Sequence, residues 1–301
     1  MIINCKFSMA CSYFQFVRSS HRLVNLTGFT RRNCTKVHKA EDTLKHMTGG
    51  SVTLDKDEKS GIAVISLDNN KKKNALSGSM MCELNDIINE LQLWQTGKGL
   101  ILRGENQTFC SGGDLDTFQN ILSPEQGYIM SGFIGQCLTN LSQLPLISVA
   151  LVEGNALGGG AEMAMSCDFM VMSDDARFAF VQKKMGVITG FGAGTRLVRK
   201  FGTLKALEIL ASARTMDATE CEQLGLASKI LPHSDNVLDL TKSWLHNYCD
   251  GDPKVVRNLK AMVVAASNLS LEDSHAIERK LFSELWGGES HLKAQKSKLK
   301  H

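Results

Sequence analysis

The sequence predicts an α/β protein, and two observations carry that prediction. Short apolar runs of strand length, separated by glycine-rich or polar turns and interleaved with helical patterns, fill the chain from Gly49 to about Gly192. Beyond Gly192 the pattern is almost all helical. With 43% hydrophobic and 22% charged residues and only four prolines in 301, the chain can bury a core, which rules out collagen-like or largely disordered classes. Neither a repeat of fixed period nor the regular alternation of a doubly wound sheet is visible.

Residues 1–40 hold seven Lys/Arg and no Asp/Glu. This basic leader, extending to about residue 48, has the composition of a mitochondrial transit peptide or of a disordered segment with no address. It is no secretory signal, because Lys6 and Arg18 bracket a weakly apolar stretch broken by serines and Gln15. Ser51–Leu54 and Gly61–Leu67 flank the polar turn Asp55–Ser60 and predict a hairpin. Met80, Leu84, Ile87, Ile88, Leu91 and Trp94 recur at helical spacing behind Ser79, the expected N-cap. Gly99–Arg103, Leu144–Val152 and Phe169–Met172 predict buried strands. Helical patterns follow at Leu197–Phe201, Leu204–Ala211, Thr219–Leu224, Val237–Tyr248, Val255–Ala266 and Ile277–Leu285. The expected organisation is a leader over 1–48, a mixed core over 49–235, a helical region over 236–290 and a basic tail over 291–301.

Several function classes fall away on composition. Of 34 Lys/Arg, seven lie in residues 1–40, so against 31 Asp/Glu the remaining body carries a net charge of −4, and no nucleic-acid partner is expected. The longest apolar stretch, Leu144–Val152, falls far short of the ~20 residues a membrane span needs, so no membrane partner is expected either. Nine scattered cysteines without a C-x-x-C pair read as free thiols in a reducing compartment. No histidine falls between His46 and His233, and no G-x-S-x-G, H-E-x-x-H or G-x-x-x-x-G-K-[ST] motif occurs. Hydrolase triads, zinc sites and phosphate loops of those kinds are therefore disfavoured. Gly190-Phe-Gly192-Ala-Gly194 has the look of a dinucleotide loop but sits late in the chain and lacks the third glycine in register, so it reads as a tight turn before a helix.

Two segments carry chemistry. Thr108-Phe-Cys-Ser-Gly-Gly-Asp-Leu115 follows a buried strand, and its paired glycines allow either a plain surface turn or one that points free N–H groups at a ligand. In Val152–Asp168, three consecutive glycines would each cost about 1 kcal/mol of helix stability relative to alanine, a cost that makes sense if a ligand approaches the backbone closely. If Gly158–Gly160 open a helix reaching Ser166, their unpaired N–H groups and the helix dipole favour negative charge. Glu162 would sit one turn inside, among Ala161, Met163, Ala164 and Met165, where apolar surroundings raise a carboxyl pKa toward neutrality.

The pair FCSGGDL and ALGGGAEMAMSCDF, followed by GVITGFGAGTRL and LASARTMDATECEQLGLASKIL, resembles the crotonase (enoyl-CoA hydratase/isomerase) superfamily over roughly residues 50–265. The resemblance implies a crotonase-like spiral of ββα units with a C-terminal helical trimerisation region, assembled as homotrimers or dimers of trimers. It implies acyl-CoA substrates whose enolates are stabilised, with no cofactor, since CoA is part of the substrate. By position it assigns oxyanion-hole donors to the backbone N–H of Ser111 and Gly159, and the family's first catalytic glutamate to Glu162. Ser111, Gly112, Gly113, Asp114, Leu115, Gly158 and Gln182 become substrate-binding positions.

Where hydratases of the family carry a second glutamate after a proline, this chain has Val181 and Gln182. An amide cannot exchange a proton, so water addition using two carboxylates is disfavoured. A lone carboxylate suits chemistry that needs only a stabilised enolate and one proton transfer, such as decarboxylation of a malonyl-type thioester. Finer resemblance, through residues 49–104, LPLISVALVEGNALGGGAE and the late LWGG, is to decarboxylating members of the family. It implies conversion of ethylmalonyl-CoA to butyryl-CoA, and more weakly of methylmalonyl-CoA to propionyl-CoA, in the cytosol. The basic leader leaves the mitochondrial matrix as the alternative. Thr189 in a position usually proline, and Ala193 in one usually glycine, are departures expected to reshape the acyl pocket. An enoyl-CoA isomerase or hydratase, and a non-catalytic acyl-CoA-binding member of the fold, are the other readings.

Overall fold

Ile62 and Val64 alternate with Ala63, Ile65 and Leu67, and all five are buried, so the strand they form is covered on both faces. The computed structural model that shows this describes residues 41–297, so the expected leader as far as residue 40 and the last four residues of the expected tail lie outside the described residues. Along the chain the strands are β1 (Ser51–Asp57), β2 (Ile62–Asp68), β3 (Gly99–Gly104), β4 (Ile147–Val152), β5 (Asn155–Leu157), β6 (Phe169–Ser173), β7 (Arg177–Ala179), β8 (Met216–Asp217) and β9 (Lys229–Leu231). The main sheet runs β1-β2-β3-β4-β6-β9. Only β1 and β2 pair antiparallel, as the predicted hairpin; every other neighbour in that sheet is parallel. A second sheet, β5-β7-β8, is fed by chain leaving β4 and β6.

Residues 41–45 are helical, and the α-helices that follow are α1 (Gly78–Leu93), α2 (Leu115–Gln119), α3 (Pro124–Gln143), α4 (Gly159–Ala164), α5 (Ala193–Ser212), α6 (Ala218–Gln223), α7 (Val237–Cys249), α8 (Pro253–Asn268), α9 (Leu271–Ser283) and α10 (Glu289–Lys296). Ile62, Val64, Ile101, Val149, Leu151 and Val171 pack on one side of the main sheet against Val237, Leu245 and Cys249 of α7 and Val256 of α8. The other side, with Ala63, Ile65, Leu67, Leu100, Leu102 and Ala150, meets α1, α3 and the second sheet in the larger core. Sequence and structure thus agree on an α/β fold with a helical C-terminal region.

Several details differ from expectation. Ser77, not Ser79, caps α1, its hydroxyl accepting the Met80 N–H at 3.3 Å. The strand expected over Leu144–Val152 begins only at Ile147, after Pro145. The whole of α3 escaped the pattern reading, because Gly127, Gly132 and Gly135 interrupt its periodicity. Its start is nonetheless marked by a Ser123/Gln126 capping box and Pro124. Within α5 the backbone breaks at Gly202 (φ 77°), as the two separate runs around it suggested. Leu44, inside the expected leader, is buried against the core.

Candidate active site

The site is assembled by short strand-like contacts rather than by one element. The Cys110 N–H donates to the Asn155 carbonyl at 2.9 Å, and the Leu157 N–H donates to the Cys110 carbonyl at 3.0 Å. This pairing lays the glycine turn after β3 directly beside the one that opens α4. Close approach is required: a Cβ at Gly160 would lie 2.3 Å from the Cys110 carbonyl oxygen, so no larger residue fits without separating the two turns. Asn74 braces the first turn, donating to the carbonyls of Glu105 and Thr108 at 2.8 and 2.6 Å.

The amides of the first turn are divided between structure and open space. Ser111, the expected donor, spends its N–H on the Lys73 carbonyl at 3.0 Å and its hydroxyl on the Lys72 carbonyl at 2.8 Å. Asp114 donates its N–H to Leu76 at 2.8 Å. Gly112, at φ +118°, turns the chain between them, and the Gly113 N–H has no acceptor among the described residues. In the second turn Gly158 donates to the Ala179 carbonyl at 2.9 Å, whereas the Gly159 N–H, at the first position of α4, is likewise free among the described residues. The two free amides are neighbours: a Cβ on Gly159 would sit 3.6 Å from the Gly113 nitrogen, and one on Gly112 would sit 3.6 Å from the Gly159 nitrogen. The geometry therefore pairs Gly159 with Gly113, not with Ser111, because the Ser111 amide is already engaged.

Other expected positions serve the scaffold. Asp114 is 2% exposed; its carboxylate caps α2 through the Asp116 N–H at 3.1 Å and binds Lys72 Nζ through both oxygens at 2.8 Å. Leu115 points to the surface, 59% exposed. Cys110 is fully buried, and burial pushes its thiol up to about 12, so it is inert packing beside the turn.

Glu162 lies in the first turn of α4 and is buried. Its Oε1 accepts from Gln182 Nε2 at 2.9 Å and from the Gly190 N–H at 3.1 Å; its Oε2 accepts from the N–H groups of Phe191 at 2.8 Å and Ala193 at 3.1 Å. Burial pushes this carboxyl above its ordinary range, against the opposing pull of those four donors. Glu162 and Gln182, each singled out from the sequence, are thus hydrogen-bonded to each other, while Phe191, and Arg196 whose Nη1 donates to the Phe191 carbonyl at 2.9 Å, carry no mark in the sequence. Phe191 lies against Gly159, where a Cβ would come 2.7 Å from its ring, and Phe118 closes on Gly113 in the same way at 1.9 Å. No periodicity marks such residues, since they meet the turns only through tertiary contact.

Comparison with known proteins gives the family and the fold. The family model for enoyl-CoA hydratase/isomerase matches residues 57–298. The chain belongs to the enoyl-CoA hydratase/isomerase family. Within this family it is 39% identical over 280 residues to ethylmalonyl-CoA decarboxylase of Rattus norvegicus, covering 91% of this chain and 93% of that one. It is 42% identical over 257 residues to the Danio rerio protein of the same name, covering 84% and 85%. Kinship at this level makes the chain an enzyme of the carboxy-lyase class. Among solved structures, an enoyl-CoA hydratase from Geobacillus kaustophilus superposes with a TM-score of 0.76 at 25% identity, covering 83% of this chain and 94% of that one. A family member from Thermobifida fusca, solved in complex with acetoacetyl-CoA, superposes with a TM-score of 0.69 at 25% identity, covering 82% and 96%.

Proposed function

We propose that this enzyme decarboxylates short-chain malonyl-type acyl-CoA thioesters, taking ethylmalonyl-CoA to butyryl-CoA and, more slowly, methylmalonyl-CoA to propionyl-CoA. The observation that carries the reading is the pair of unspent amides at Gly113 and Gly159, with Glu162 one turn into the helix that Gly159 opens and bonded to the amide of Gln182 rather than facing a second glutamate.

A thioester carbonyl oxygen seated between the two N–H groups is polarised before any bond breaks. The bond from Cα to the substrate carboxylate then cleaves, its electron pair moves into the Cα–C1 bond, and negative charge collects on the thioester oxygen. Each preorganised donor of this kind is worth roughly 3–4 kcal/mol in the transition state. The Phe118 and Phe191 rings pack against Gly113 and Gly159, and an apolar neighbour suits a leaving group that departs as neutral CO₂. Proton transfer to Cα completes the product. Hydration lacks its second carboxylate, because Gln182 stands in that position.

The reading includes a homotrimer or a dimer of trimers. Val255, Leu259 and Val263 form an exposed stripe at one-turn spacing on α8, and Phe282 and Trp286 lie exposed on and after α9, which supports a covered helical face. The proposed compartment is the cytosol; recovery in the mitochondrial matrix would instead make residues 1–40 an import signal.

The test is CO₂ release from ethylmalonyl-CoA by the purified protein, with crotonyl-CoA hydration run in parallel. Release without hydration is expected. Consumption of crotonyl-CoA or a 3-enoyl-CoA without CO₂ release would move the enzyme to the hydratase/isomerase branch, and tight acyl-CoA binding without turnover would make it a binding protein.

A further inference from the structure

The proton that ends on Cα needs a source, and Glu162, three residues beyond the free amide of Gly159, is the first candidate, the Asp114 carboxylate beside Gly113 being held by Lys72. Its bonding gives it another task. An ionised carboxylate offers about four lone-pair directions. Gln182 Nε2 and the N–H groups of Gly190, Phe191 and Ala193 occupy all four, at 2.8 to 3.1 Å. A proton on either oxygen would face an N–H, so accepting one means breaking a bond that holds the site together. The three backbone donors belong to one turn, in which Gly192 has φ +96° and Ala193 begins α5. A carboxylate there also satisfies orphan N–H groups at the start of that helix.

The turn has a clear consequence for the site. It carries Phe191, whose ring lies against Gly159, while the Phe191 carbonyl accepts from Arg196 Nη1 at 2.9 Å and the Gly190 carbonyl accepts from the Ser131 hydroxyl. Beside Glu162, Gln182 Oε1 is buried with no donor among the described residues, which leaves an acceptor suited to one O–H of a water.

We propose that Glu162 is a positioning residue: its carboxylate gathers the Gly190–Ala193 turn and so seats Phe191 against Gly159, while a water held at Gln182 Oε1 delivers the proton to Cα. In that last step the Cα–H bond forms as a water O–H bond breaks, and the hydroxide left is neutralised by a proton from solvent, so the overall reaction takes up one proton and releases one CO₂. The water step rests on the decarboxylase reading; the anchoring of the turn does not.

Two measurements on the full chain test this. Hydrogen exchange of the substrate-free protein reads the amides of Gly190, Phe191 and Ala193, and Glu162→Gln is expected to lose protection there by about tenfold or more. Turnover of ethylmalonyl-CoA in D₂O reads the configuration of deuterium at Cα, and the residual product of Glu162→Gln is expected to keep the wild-type configuration. Unchanged protection, or deuterium scrambled between the two Cα positions, overturns the proposal. If Glu162→Gln does not fold, Phe191→Ala decides, since it leaves the carboxylate and its donors in place: the KM for acyl-CoA should rise about tenfold or more with protection retained, and an unchanged KM overturns the proposal. Exchange is read without substrate, so a wild-type protein that released no CO₂ would end the decarboxylase reading and leave the anchoring test intact.

Discussion

At the scale of single residues, the site depends on places where backbone meets backbone. Gly160 is the tightest of these in the glycine turn of α4, and the added methyl of Gly160→Ala meets the Cys110 carbonyl rather than a side chain that could swing away. Its expected cost is about 1–3 kcal/mol in denaturant unfolding, with activity lost beyond what stability explains, because the two turns holding the donor amides are pushed apart. Glu153 makes a second residue-scale prediction. It is 2% exposed, its Oε2 lies 3.7 Å from Arg103 Nη2 without a hydrogen bond, and burial pushes its carboxyl up against the pull of Arg103. A folded-state pKa above the unfolded one contributes stability below the unfolded pKa, and that contribution is lost as pH rises through the folded value. Glu153→Gln does not titrate, so its melting temperature relative to wild type should climb as pH rises from about 4, the ordinary glutamate range, through the raised folded-state value. A difference that is flat or falls with pH would contradict this.

At the scale of elements, helix α1 separates two neighbouring serines that the pattern alone could not tell apart. Ser77 is fully buried, accepts the Met80 N–H and donates to the Gly49 carbonyl, whereas Ser79 is half-buried and lies inside the helix. Ser77→Ala should destabilise the protein by about 1 kcal/mol or somewhat more, and Ser79→Ala by no more than about half a kcal/mol, in urea titrations of both variants. Equal losses would show that the cap is shared. Helix α3 teaches the complementary lesson. Its glycines look out on open space and weaken the apolar period, so the cap and the proline were stronger signals than the pattern.

At the scale of the whole molecule, the exposed apolar side chains of α8 and α9 set the expectation for assembly. Sedimentation equilibrium should return three or six chain masses, and Leu259→Glu, a charge placed in the α8 stripe, should shift the mass toward one chain. A monomeric wild type would remove the assembly from the proposed function. The two-sheet architecture also explains why the site lies where it does: the chain leaves β4 of the main sheet for β5 of the second, and the glycine turn of α4 follows immediately.

By itself the sequence determined the α/β class, the buried strands, the two glycine turns and the family to which they belong, whereas the parallel pairing of those strands belongs to the tertiary structure. The former features are local, since strand periodicity and consecutive glycines leave their mark within a dozen residues. Which amide of the first turn stays free was decided only in three dimensions, because Lys73 claims Ser111 and leaves Gly113 open. The same holds for Glu162. Its place near the glycines is written in the chain, but its four donors come from Gln182 and from the Gly190–Ala193 turn, which folding brings to it across 20 to 31 residues.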